Sequence, residues 1–160
     1  FVLKRAIVVA APAGAIIWMF ANFYIGEQSI LYHVAGWFEP LGRLLGLDGF
    51  ILLAFLLGLP ANEIVIPILL MSYVGSGAML EFESLAAMKE LFVSRGWTWV
   101  TALNIMLFAL LHFPCATTLL VMRSETGGIK WPVTAFALTT SIAMLACFLV
   151  AQGARLFGLV

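Results

Sequence analysis

Three side chains of metal-binding type lie within apolar runs of this sequence. Cys115 follows His112 by three residues in LLHFPCATTLL, and Glu63 closes LPANE in an earlier run. Thiolate, imidazole and carboxylate are all suitable ligands for a first-row divalent metal ion. An acid at the centre of a membrane helix costs about 2.5–3.5 kcal/mol on insertion scales, so it marks a functional position by default. Metal binding is therefore the chemistry that these residue types could carry.

Each of these side chains lies beside a helix breaker. Pro60 and Pro114 each remove a backbone donor and clash with the carbonyl group four residues earlier. A half-helix that begins after Pro60 would have Asn62 as its N-cap and Glu63 at the positive end of its dipole. In lipid, irregular backbone persists only where protein or a wet cavity supplies hydrogen-bond partners. Paired breaks at the bilayer midplane are typical of a transporter's substrate site.

Several polar or helix-breaking residues define the predicted substrate pathway. They are Pro60, Asn62, Asn104, Pro114, Thr117 and Thr118. Each feature also has a simpler interpretation, since proline kinks serve packing in many membrane helices. Glu63 can be a neutral acid bonded to a neighbouring helix, Cys115 a small packing residue, and Asn104 an interhelical hydrogen-bonding group. Two breaks, each with clustered polar residues, favour the functional interpretation.

The composition places these residues in a membrane. Of the 160 residues, 64% are hydrophobic and 10% are charged, with a mean hydropathy of +1.12. A soluble domain is about 45–50% apolar and about 25% charged. A spanning helix needs roughly 20 mostly apolar residues. Four segments meet that standard, namely 6–26, 49–74, 97–122 and 131–154.

The sequence therefore predicts an all-α membrane protein with about four transmembrane helices. Two of them are broken at mid-span, at 58–63 and at 112–115. Uninterrupted apolar runs lack the in–out alternation of a barrel strand. Residues 27–48 mix charged and apolar types, which predicts an interfacial helix with Tyr32 and Trp37 at headgroup depth. The charged stretch 76–96 is predicted to be a water-exposed loop with a short helix.

The distribution of basic residues predicts an orientation. If all four segments cross, alternate loops place Lys4, Arg5, Lys89, Arg95 and Arg155 on one side and Arg43, Arg123 and Lys130 on the other. The positive-inside rule then puts both termini in the cytoplasm. The formal net charge of zero gives no indication of a nucleic-acid partner. Because the chain opens on Phe1, we interpret it as a piece of a longer polypeptide or as an incomplete gene product.

Taken together, several motifs closely resemble the C-terminal membrane region of the ferrous iron transport protein B (FeoB) family. They are VVAAPAGAIIW, GLDGFILLAFLLGLPANEIVIPILLMSY, LLHFPCATTLL and RSETGGIKW, in the family's order and spacing. The resemblance implies a single transmembrane domain over 1–160 with a second "gate" at roughly 49–154. It further implies a multi-pass protein of the bacterial inner membrane that transports Fe²⁺.

The resemblance also implies roles for individual residues of this sequence. The Pro-Cys pair of the gate falls on Pro114 and Cys115, and the Cys is the family's proposed iron contact. The family's Pro-Ala-Asn-Glu element falls on 60–63. His112 lies outside the Pro-Cys and Pro-Ala-Asn-Glu elements, so its role rests on chemistry alone. A hypothetical Fe²⁺ shell uses Glu63 and Cys115 for charge compensation, with His112, Asn62 or freed backbone carbonyls completing it.

The chain has no G-x-x-x-x-G-K-[ST] phosphate loop. GTP is therefore expected to act only through another domain of the family protein, and no enzymatic activity or permanently bound cofactor is expected here. Expected partners are lipid, Fe²⁺ and the remaining polypeptide with its G domain and first gate. The sequence leaves open whether the protein forms a homo-oligomer. The alternatives are a non-transporting scaffold or assembly module and a gate-type carrier of an organic substrate such as a nucleoside.

Overall fold

The computed structural model describes residues 12, 15–16, 18–20, 22–25, 28–59, 64–74, 85–112 and 115–158. Seven helices have both ends within these ranges: α1 Ile30–Leu44, α2 Gly49–Leu57, α3 Val65–Val74, α4 Leu85–Ser94, α5 Trp99–Leu111, α6 Ala116–Thr126 and α7 Lys130–Leu156. A two-residue antiparallel pair, β1 Tyr24–Ile25 with β2 Gln28–Ser29, precedes α1. Most of the first predicted span, 6–26, lies outside the described residues. The all-α class is confirmed.

Among the described residues, two segments are long and apolar enough to cross a membrane. One joins α5 and α6 into Trp99–Thr126, and the other is α7, Lys130–Leu156. The 27 residues of α7 extend about 40 Å, against a hydrocarbon core of about 30 Å. Gly127, at a φ of 68°, ends α6 in the left-handed conformation, which favours glycine. These segments correspond to the third and fourth predicted spans, and helical structure is interrupted between Leu111 and Ala116 as predicted.

The second predicted span instead forms a hairpin. The Tyr73 hydroxyl, at the end of α3, donates a hydrogen bond to the Asp48 carboxylate, which precedes α2. The rings of Phe50 and Tyr73 lie 5.7 Å apart. At the other end, a Cβ added to Gly58 would overlap the Val65 side chain. α2 and α3 therefore lie side by side and antiparallel.

The prediction of one interrupted span over 49–74 is wrong in its path, although the predicted break itself is confirmed. Helices of 9 and 10 residues extend about 14 and 15 Å, roughly half of a hydrocarbon core. Each half is thus too short to cross a hydrocarbon core by itself, and the two halves lie beside each other. The orientation count assumed four crossings, and the cytoplasmic position of both termini stays a prediction.

The helix α1 packs across α2 and is bent from it by 111°. Taken as one bent span, this pair would raise the number of candidate spans from two to three. Leu31 and Ala35 face the core, whereas Trp37 is 82% exposed. This amphipathic pattern agrees with the predicted interfacial helix, whose depth in a membrane stays a prediction.

The protein core lies where the hairpin meets α5 and α7. Its most buried side chains include Ile51, Leu53, Ile68, Leu69, Tyr73, Asn104 and Cys147. The outer face of α7 exposes large apolar side chains such as Leu138, Leu145 and Leu149. An apolar outer face is what a lipid-facing helix requires, because lipid does not penalise it. The short helix predicted within 76–96 is α4, which has no buried residue.

Candidate functional site

The break in the hairpin contacts the break between α5 and α6. The amide of Ala116, the first residue of α6, donates to the carbonyl oxygen of Leu59 at 2.8 Å. Leu59 follows α2 and directly precedes 60–63 in the chain. The first amides of a helix have no partner within that helix, and leaving them unpaired in lipid is costly. The hairpin tip therefore satisfies one of them and fixes the two breaks side by side.

Cys115 occupies the N-cap position of α6. Its sulfur lies 2.8 Å from Thr117 Oγ1 and 3.2 Å from Thr118 Oγ1. Both threonine hydroxyls can donate to the sulfur when it is a thiolate, and the positive end of the helix dipole favours the same charge state. The side chain is a half-buried free thiol. The structure thus brings together three residues that the sequence placed on the pathway.

His112 ends α5 on the other side of the break. Its amide donates to the Phe108 carbonyl at 2.8 Å. Three aromatic rings surround the imidazole, with centroid distances of 4.7 Å to Phe108, 5.6 Å to Phe136 and 6.3 Å to Phe55. Thr140 Oγ1 lies 3.0 Å from its Nδ1. The ring borders a largely apolar cavity of about 200 Å³.

The sequence reasoning missed Thr140. It lies on α7, 28 positions after His112, among other hydroxyl-bearing residues such as Thr134, Thr139 and Ser141. Nothing in the sequence distinguishes it from these neighbours. Only the packing of α7 against the end of α5 brings it to the imidazole.

Asn104 is fully buried away from the break, about 12 Å before His112 along the axis of α5. Its side-chain amide donates to the Leu45 carbonyl at 2.7 Å and to the Cys147 carbonyl at 3.3 Å. The Cys147 thiol donates in return to the Asn104 carbonyl at 3.4 Å. These bonds join α5 to α7 and to the turn after α1, as interhelical hydrogen bonding would require. The pathway role of Asn104 stays a prediction.

Four predicted site residues, Pro60, Asn62, Glu63 and Pro114, lie outside the described residues. Within the part of the chain that the structure describes, no group of three or more His, Cys, Asp or Glu side chains could hold a metal ion. Cys115 and His112 are the two predicted metal ligands that the structure describes. The contribution of Glu63 stays a prediction.

A polar network holds together the open end of the hairpin, where α2 begins and α3 ends. Asp48 accepts from the Ile51 amide at 2.7 Å and so caps α2, while its other oxygen accepts from Tyr73. The Trp97 indole N–H donates to the Tyr73 hydroxyl at 2.8 Å. Burial raises the pKa of the Asp48 carboxyl above its usual range, although the hydrogen bond from Tyr73 opposes this shift. Sequence reasoning missed the network because its members are distant in the chain.

The family match and the similar proteins both relate this chain to the gate regions of FeoB proteins. Residues 3–129 match the Gate family, described as nucleoside recognition. The match begins before the predicted gate of 49–154 and ends before α7. The Fe(2+) transporter FeoB of Leptospira biflexa is 33% identical over 138 residues, which are 84% of this chain and 20% of that protein.

A second relative is the Fe(2+) transport protein A/Fe(2+) transporter FeoB fusion protein of Porphyromonas gingivalis. It is 26% identical over 137 residues, which are 82% of this chain and 16% of that protein. The chain thus spans a fifth or less of the length of these relatives. No solved structure matches it significantly. The family match covers well over half of the chain, and the chain therefore belongs to the Gate (nucleoside recognition) family, as a gate region of the kind found in FeoB proteins.

Proposed function

We propose that this chain forms the C-terminal gate region through which an FeoB-type protein passes Fe²⁺ across the bacterial inner membrane. The observation that carries the proposal is the bond from the Ala116 amide to the Leu59 carbonyl. It joins two interrupted segments at the point where both lose regular structure. Such junctions supply backbone and side-chain ligands inside the bilayer.

The chemistry of the junction suits a partly dehydrated dication. In its thiolate form Cys115 supplies negative charge, and the hydroxyls at 2.8 and 3.2 Å stabilise that form. Glu63 is the proposed second source of charge. Backbone carbonyls freed by the breaks complete a shell of few strong ligands. An incomplete shell favours passage, because a transported ion must leave as readily as it binds.

The remaining features of the proposal follow from the same relationship. The ion is cargo, and no permanently bound cofactor or enzymatic step is assigned to this chain. GTP acts through a domain elsewhere in the polypeptide. Lipid covers the apolar outer faces, and the proposed topology is multi-pass, with α5–α6 and α7 as full crossings and the hairpin entering from one side. The cavity beside His112 is about 200 Å³, below the roughly 300–1,000 Å³ typical of organic-ligand pockets. The cavity lined by Leu59 and Ala116 is larger, about 450 Å³, but its lining is apolar except for Arg123, which does not suit the polar base and sugar of a nucleoside.

The test is uptake of radioactive iron by the full-length protein in cells, with protein level in the membrane measured in parallel. Cys115→Ser and, separately, Glu63→Gln are each expected to reduce uptake at least tenfold. The matched control is Cys147→Ser, because Cys147 is also a free thiol but bonds to a carbonyl within the core. Uptake at the wild-type rate in Cys115→Ser would refute the proposed site.

A scaffold without transport activity is the second candidate, and the Asn104 network favours it. Buried amide bonds between helices are typical of locked assemblies. A scaffold predicts that substitutions at the break lower thermal stability while iron uptake per folded molecule stays constant. The ratio of uptake to folded protein in the Cys115→Ser variant therefore distinguishes the two candidates.

A further inference from the structure

The Thr140 hydroxyl makes a different bond from those of its neighbours on α7. Thr134, Thr139 and Ser141 donate to carbonyl groups of their own helix, at 2.8, 3.0 and 2.7 Å. This is the usual bond of a hydroxyl side chain inside a helix. Over α7, which is described along its whole length, Thr140 has no such acceptor. Its oxygen instead lies 3.0 Å from His112 Nδ1.

A hydroxyl group has a single hydrogen, and His112 Nδ1 is the acceptor that the described residues place within its reach. Donation from Thr140 to Nδ1 pairs both groups, whereas the reverse direction would leave the hydroxyl hydrogen without an acceptor among these residues. A neutral imidazole that accepts at one nitrogen carries its hydrogen on the other. We infer that Thr140 is a positioning residue that holds His112 with its hydrogen on Nε2, so that His112 meets the ion path as a hydrogen-bond donor and not as a direct Fe²⁺ ligand.

The surroundings of His112 support this assignment. The rings of Phe108, Phe136 and Phe55 restrict the plane of the imidazole and offer no lone pair to a ring N–H. Thr140 is the hydrogen-bond partner that the structure gives to a ring nitrogen of His112. The aromatic rings thus fix where the imidazole lies, and Thr140 fixes which nitrogen carries the hydrogen.

The inference rests on the proposed function and adds a basis for ion specificity. Imidazole nitrogen is a favoured ligand of Zn²⁺ and Cu²⁺, which bind most nitrogen sites more tightly than Fe²⁺ does. A histidine held as a donor contributes no lone pair at Nε2, so these competitors gain no imidazole bond. Its N–H can instead stabilise an electron-rich acceptor on the path, such as a thiolate sulfur or an ion-bound water.

One test uses two substitutions of His112 in the full-length transporter. The side-chain amide of His112→Gln keeps an N–H donor near the position of Nε2 but is a poor metal ligand, whereas His112→Ala keeps neither. We expect His112→Gln to retain at least half of the iron uptake and His112→Ala to lose about tenfold. If both variants lose uptake equally at equal membrane levels, the donor role is wrong.

The second test reads the hydrogen position directly. In full-length protein labelled with ¹⁵N-histidine, the His112 signals are those lost in His112→Gln. We expect hydrogen on Nε2 and an acceptor-type Nδ1 in the wild type, in Thr140→Ser and in the matched control Thr139→Val. Thr140→Val should show a mixture of tautomers and roughly fivefold lower uptake, the factor expected for one hydrogen bond. A wild-type spectrum with hydrogen on Nδ1 would overturn the inference.

These outcomes separate the inference from the proposed function. Full uptake in Cys115→Ser would refute iron passage at the junction and leave the tautomer measurement unaffected. Loss of uptake in Cys115→Ser together with hydrogen on His112 Nδ1 would refute the role of Thr140 alone.

Discussion

The hairpin α2–α3 and the long segment α5–α6 are built from similar sequences and follow different paths. Both consist of two apolar halves separated by a stretch that contains a proline. In the first, the chain turns after Gly58 and returns beside itself, whereas in the second it resumes as one candidate span, Trp99–Thr126. A break in a membrane helix thus predicts unpaired backbone groups but does not predict the direction of the chain beyond it.

The physical difference lies in what each pair of halves can bury. At the closed end of the hairpin, Gly58 lacks the Cβ that would overlap Val65, so α3 can approach α2. At the open end, Tyr73 bonds to Asp48 and to Trp97. The halves α5 and α6 lack such a clamp in the part of the chain that is described, and α7 packs beside both of them. Packing partners therefore decided between return and continuation.

The largest expected effect is on the side from which single cysteines react. Leu44→Cys, Ser94→Cys and Gly128→Cys are placed in an otherwise cysteine-free full-length protein and exposed to a membrane-impermeant maleimide from either side. The hairpin predicts that positions 44 and 94 react from one side and 128 from the other. A straight crossing by 49–74 would instead pair 44 with 128. That labelling pattern would remove the contrast between the two segments.

The next largest effect, on stability, is expected at the closed end of the hairpin, where Gly58 lies against Val65. Gly58→Ala introduces a Cβ that overlaps Val65 and lies 2.9 Å from the Ala54 carbonyl oxygen. We expect it to lower the free energy of unfolding by up to about 3 kcal/mol through overpacking. Gly36→Ala in α1 is the control, since nothing lies within 4 Å of its added Cβ. Thermal unfolding in detergent measures both, and equal stability of the two variants would argue against close approach at Gly58.

The smallest effect on stability is expected at the open end of the hairpin, where Tyr73 bonds to Asp48 and Trp97. Tyr73→Phe removes the hydroxyl between Asp48 and Trp97 and leaves both without this partner. The expected loss is about 1–2 kcal/mol, the usual cost of unpaired buried polar groups. Tyr32→Phe is the control, because Tyr32 packs edge-on against Phe50 and its hydroxyl has no hydrogen bond to any described residue. A similar loss in both variants would mean that aromatic packing, not the polar clamp, holds the hairpin closed.

Much of the local structure around Cys115 was predictable because its signals are local. Pro114 and Cys115 marked the break and its thiol, and the two threonines follow at helical spacing. The structure confirms that a second helix follows the break, beginning at Ala116. It also places both threonine hydroxyls against the sulfur, a contact that the sequence analysis did not predict. The partner of His112 was not predictable, since Thr140 resembles its neighbours in every property that a sequence records. Its distinction is the acceptor that folding places opposite it.

The sequence by itself determined that this is a membrane protein, that it is helical, and where its two helix breaks lie. Those properties depend on apolar composition and on the missing proline N–H, which act wherever the chain lies. The tertiary structure alone decided that 49–74 returns, that Leu59 meets Ala116 and that Thr140 faces His112. Each of these depends on a contact between residues far apart in the chain, and the free energy of such contacts exists only once the helices have packed.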